Sequence, residues 1–128
     1  MITIDKYVNV SEKRMELIEE IADLVANDLG LKSIDIKINI NPSVDMEGYD
    51  GFCYSANLID IVNKRETEQL FKVIAHELRH AYQYKNDLVG CDGKWRGKKY
   101  KFYDGSEVDA VEYENVMWEK HKKSLTSL

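Results

Sequence analysis

Residues 63 to 84 read NKRETEQLFKVIAHELRHAYQY, and the period of their apolar positions decides how the rest of the chain is understood. Leu70, Val73, Ile74, Leu78 and Ala81 recur at intervals of three and four, the spacing that lines one side of an α-helix. Asn63 and Glu66 are spaced like a capping box and predict where this helix opens. His76 and His80 then project from successive turns of one face, so each can offer a ring nitrogen to the same metal ion. Glu77 flanks that face, where its carboxylate can reach a metal-activated water without becoming a ligand, which predicts a general base. Zinc suits such a site because it has no redox chemistry, accepts imidazole and carboxylate donors and acidifies water.

A catalytic zinc site keeps three protein ligands and one open position, so a third donor is required elsewhere in the chain. The remaining histidine, His121, stands among Lys120, Lys122 and Lys123, where like charge disfavours a dication. Of the acids that follow the motif helix, Glu107 is the expected ligand, on a rigid first turn opened by Ser106, and Asp109 in that turn is the alternative. Arg79 points away from the histidine face and reads as a surface cation or the partner of a nearby acid. Tyr100 and Tyr103, in the preceding connection, are the candidate donors to a developing oxyanion.

Upstream of the motif the period is that of strands. Ile34, Ile36, Ile38 and Ile40 alternate with Asp35, Lys37 and Asn39, which predicts a strand with one buried and one wet face. Phe52 to Val62 is β-rich but breaks alternation at Ser55-Ala56-Asn57, where a bulge or sheet edge is expected, and residues 41 to 51 read as a polar connection. Before these, Ile2 and Ile4 predict a short first strand, and Ser11 caps a helix running to about Leu29-Gly30 with its stripe at Met15, Ile18, Ile21, Ala22 and Val25. Downstream, residues 86 to 105 form a long connection with a hairpin expected around Trp95 to Tyr103, and a last helix is expected from Ser106 to about Lys120.

With 128 residues, a single proline and no linker or repeat, the chain reads as one domain, residues 1–128, able to close its own core. The absence of a long apolar run and of a basic, hydrophobic N-terminal segment argues against a membrane span and predicts a cytoplasmic protein. Cys53 and Cys91 are too few for a disulfide framework. A formal charge of −5 argues against nucleic acid as the main partner. Residues 94 to 101 nevertheless interleave basic and aromatic side chains as single-strand binders do, so that class is kept as an alternative.

Two patches carry a family resemblance: His76-Glu77-Leu78-Arg79-His80 with Ala81-Tyr82-Gln83-Tyr84, and Glu107-Val108-Asp109-Ala110-Val111-Glu112-Tyr113. Together they resemble the short gluzincin-type zinc metallopeptidases of bacteria and phages, distantly including the repressor-cleaving relatives. The resemblance implies a zincin-like α+β domain, with a small twisted sheet packed against an N-terminal helix and the motif helix and closed by a C-terminal helix. It also implies peptide-bond hydrolysis with His76, His80 and Glu107 on zinc and Glu77 as base, a peptide or protein as substrate, and an edge strand within residues 54 to 62 that receives it. The continuation Val111-Glu112-Tyr113 departs from the repressor-cleaving pattern, so that activity is not carried over. A zincin-like scaffold that binds a partner protein without chemistry is the other alternative.

Overall fold

The computed structural model describes residues 1–88, 94–95, 98–99 and 102–126. Among them the chain forms β1 (Ile2–Lys6), α1 (Glu12–Asp28), β2 (Ile36–Asn41), a short 3₁₀ turn (Ser43–Met46), β3 (Gly51–Ser55), β4 (Leu58–Val62), α2 (Thr67–Lys85), β5 (Lys94–Trp95), β6 (Lys98–Lys99) and α3 (Phe102–Thr126). The architecture is α+β, a mixed four-stranded sheet ordered β1-β2-β4-β3 with three helices. β1, β2 and β4 run parallel, and β3 turns back antiparallel along the far edge.

The pleat assigns the residues to faces. Ile36, Ile38 and Ile40 of β2 and Ile59 and Ile61 of β4 are buried in one cluster with Ile18, Ile21 and Val25 of α1 and Leu70, Ile74 and Leu78 of α2. Removing this much aliphatic surface from water is the main stabilising term of the fold. The alternate residues face the other way and pair laterally: Asn39 donates to Asp60 at 3.0 Å, the Tyr54 hydroxyl donates to Asp60 at 2.8 Å, and Lys37 meets Asp5 at 2.9 Å.

α1 opens as expected, with the Ser11 hydroxyl accepting from the Arg14 amide at 3.2 Å, and closes ahead of Gly30 in the left-handed region at φ +68°. α2 opens later than the Asn63 capping box predicts. Glu66 is its N-cap and makes no side-chain bond there. The reason is non-local: Arg14 of α1 donates to the Asn63 side chain at 3.3 Å and to the carbonyls of Lys64 and Arg65, which holds this segment out of the helix.

Residues 52–62 form a hairpin, not one irregular strand, turning at Ala56-Asn57 with a register shift between Cys53 and Ser55. Leu58–Val62 is therefore an interior strand bonded on both sides, and the edge next to it is β3, so of residues 54 to 62 only Tyr54 and Ser55 lie on the edge expected there. The polar connection contains the 3₁₀ turn, which buries Met46. α3 begins at Phe102, one turn before Ser106, and continues past Lys120 to Thr126. Its extra turns are held because Leu125 joins Met117 and Trp118 in the core, Trp118 lying 5.5 Å from the Phe71 ring.

The expected hairpin near Trp95 is present as two residue pairs, Lys94 with Lys99 and Trp95 with Lys98. Tyr103 belongs by its backbone to the first turn of α3. Tyr100, Cys91, the side chain of Tyr103 and part of the 94 to 101 segment lie outside the described residues. No described helix is long and apolar enough to cross a membrane.

Candidate metal centre

α2 and α3 pack side by side, and the site forms where His76 and His80 of one face Glu107 of the other. Helical spacing brings the two imidazoles together, with Nε2 to Nε2 at 3.1 Å. The Glu107 carboxylate bridges them, Oε2 at 3.1 Å from His76 Nε2 and Oε1 at 2.6 Å from His80 Nε2. These residues form a group able to hold a metal ion, with one donor atom from each lying within 4.8 Å of the others. Tetrahedral zinc at ~2.0–2.1 Å from such donors sets them roughly 3.3 Å apart, so a small spreading of this triangle admits the ion.

The outer nitrogens are also engaged. His76 Nδ1 lies 2.8 Å from Glu114 Oε1, and His80 Nδ1 lies 2.8 Å from Gln83 Oε1. An imidazole whose Nδ1–H is bonded outward directs the Nε2 lone pair inward, the arrangement common behind metal-bound histidines.

The electrostatics match a place for positive charge. Burial opposes protonation of His76, but hydrogen bonds to Glu107 and Glu114 outweigh it and raise its pKa to about 10. His80 is raised in the same way, burial being overcome by Glu107 and Gln83. Glu107 is held well below the usual carboxylate range by its bonds to the two imidazoles. The N,N,O donor set and its surplus of carboxylates thus fit a dication of the zinc type.

Glu77 is buried beside this group, and its carboxyl is pushed up to about 7 by burial, with His76 and His80 pulling the other way. Its position depends on Gly51 at the start of β3. A Cβ there would lie 2.8 Å from Glu77 Cγ and 2.9 Å from its Oε2, so only glycine allows the strand this close. Cys53, two residues along, is buried and its thiol is pushed up to about 12, chiefly by burial, which leaves it neutral. His76, Glu77, His80 and Glu107 line a cavity of about 470 Å³ that Tyr49 and Phe52 also border.

Asp109 does not turn toward the imidazoles. It pairs with Arg79 through two bonds of 2.7 and 3.1 Å, and Arg79 is thereby half-buried between α2 and α3, the partner of an acid and not a surface cation. His121 lies seven residues, about two helical turns, beyond Glu114, its ring 6.5 Å from Phe71. Ser106 is buried inside α3 instead of capping it, and its carbonyl accepts from Gln83 at 3.0 Å.

Glu114, Gln83 and Gly51 receive no role from the sequence alone. For the first two a signal existed: Glu114 follows Glu107 by seven residues, two turns along the same face, and Gln83 follows His80 by three. For Gly51 there was none, because its role arises from packing between elements distant in sequence. No protein-family model, curated protein or solved structure matches this chain.

Proposed function

We propose that the chain is a zinc-dependent metallopeptidase of the zincin type, acting on peptide or protein substrates. The observation that carries this reading is the convergence of His76, His80 and Glu107 within 4.8 Å, beside a buried Glu77, on a cavity large enough for a peptide segment. Bound among those three side chains, zinc would supply the Lewis acidity that activates water and polarises the scissile carbonyl.

The chain's own residues divide the remaining work. Glu77, with a carboxyl near 7, can take a proton from the attacking water at neutral pH and return it to the leaving amine. Glu114 and Gln83 hold the imidazoles in orientation. The open edge of β3 runs beside the cavity and offers backbone groups to an extended substrate, which restricts its rotation before reaction.

The test joins metal content to activity. Purified protein should hold one zinc per chain, and Glu77→Gln should abolish cleavage of an unfolded casein-type substrate while retaining the metal. Full cleavage by Glu77→Gln removes the mechanism. Zinc binding with no cleavage by the wild type, across unfolded substrates, favours the partner-binding scaffold instead.

A further inference from the structure

Arg79, Asp109 and Gln83 join α2 to α3 in a continuous run of hydrogen bonds that ends on His80. The Arg79 guanidinium is fixed by the two bonds to Asp109 and by the rings of Tyr82 and Tyr113, at 4.5 and 5.0 Å from its carbon. Tyr113 is tied in turn to α1 by its hydroxyl, which donates to Asp28 at 2.8 Å. Asp109 Oδ2 also accepts from Gln83 Nε2 at 2.9 Å, and that nitrogen donates to the Ser106 carbonyl at 3.0 Å.

Gln83 is fully buried, so the direction of its amide matters. Reversing the amide would set its oxygen against a carboxylate and a carbonyl, two acceptors with no proton between them. The oxygen is therefore obliged to face His80 Nδ1, where it can only accept. Nδ1 then carries the proton, and a neutral His80 keeps its Nε2 lone pair for the metal side. Glu114, behind His76, has no comparable wrong orientation, because either carboxylate oxygen accepts. An anchor is needed only behind the amide, and that is where the anchor lies.

We infer that the Arg79–Asp109–Gln83 chain sets the tautomer and ring orientation of His80, making Gln83 a positioning residue of the metal centre and Arg79, inside the motif itself, its anchor. This rests on His76, His80 and Glu107 being the metal ligands. Without the Gln83 oxygen, a neutral His80 can keep its single proton on Nε2, the tautomer that offers no lone pair on the metal side.

The experiment compares wild type, Gln83→Met and Arg79→Gln in two measurements. Chelator competition should show zinc bound roughly 10- to 100-fold more weakly by Gln83→Met, and more weakly by Arg79→Gln although Arg79 touches no ligand. In the zinc-loaded protein, the ¹⁵N-edited proton signal of His80 Nδ1–H should be protected in wild type and exposed to exchange in both variants. The His76 Nδ1–H, held by Glu114, should stay protected and so separates loss of positioning from general loosening. Unchanged zinc affinity in the variants, or equal loss of protection at both histidines, overturns the inference. If Gln83→Met does not fold, Arg79→Gln decides by the same two readouts. A wild type that binds no zinc removes the metal reading and this inference with it; a wild type that binds while the variants bind equally removes this inference alone.

Discussion

Gly51→Ala adds one methyl group where β3 passes against the Glu77 side chain. The new carbon would lie 2.8 Å from Glu77 Cγ, 2.9 Å from its Oε2 and 3.2 Å from the Asp60 carbonyl, where ordinary contact begins at 3.4 Å. The strand has little freedom to retreat, because Gly51 is paired with Ile61 and the neighbouring Asp50 carbonyl accepts from Val62 at 2.8 Å. The Glu77 side chain must give way by at least ~0.6 Å, and overpacking of this kind costs about 1–3 kcal/mol of stability. A misplacement approaching 1 Å at a reacting group lowers the rate on the order of 100-fold. Gly51→Ala should therefore lose 10- to 100-fold in kcat, by roughly the scale of that misplacement, with zinc content unchanged, since Gly51 touches none of the ligands. Adding it to Glu77→Gln should produce no further loss, because both act through one carboxylate. Steady-state cleavage of a fluorogenic peptide, with zinc measured on the same samples, decides it. A stable, zinc-loaded Gly51→Ala protein with wild-type kcat would refute the reasoning.

Glu114→Gln should weaken zinc binding by about tenfold, because an amide with no anchor behind it can turn either end toward His76; chelator competition checks this, and unchanged affinity would contradict it. In the metal-free protein His76 is raised to about 10, so at pH 7 zinc must displace the proton directed at Glu107. Apparent affinity should then rise as pH rises from 6 toward 9, and calorimetric binding heats should vary with the ionisation heat of the buffer; buffer-independent heats would contradict proton release. Arg14→Ala removes the bonds that tie α1 to the Asn63, Lys64 and Arg65 segment and should cost about 1–3 kcal/mol in urea unfolding. Its zinc affinity should be unchanged, since those bonds are remote from the ligand triangle.

What could be read from the sequence was what depends on local period. The four-residue interval puts His76 and His80 on one face whatever the tertiary context, and the Ile36, Ile38, Ile40 alternation puts those residues in the core. What could not be read depended on partners far along the chain. Asn63 and Glu66 satisfy the capping pattern, yet Arg14, 49 residues earlier, claims Asn63. The Ala56-Asn57 turn carries no glycine to announce a hairpin, so the edge position of β3 emerges only from the strand order. Glu107 and Asp109 share a helical turn and could not be separated by spacing. Their difference in surroundings comes from Arg79, whose pairing with Asp109 is set by how α2 and α3 pack.

The most direct test of the metal centre is anomalous scattering at the zinc absorption edge from crystals of zinc-loaded protein. The three-ligand centre predicts one strong peak per chain, bonded to His76 Nε2, His80 Nε2 and a Glu107 oxygen, with Glu77 beside it and outside bonding distance. A peak held by other residues, or no peak in the presence of saturating zinc, would contradict it.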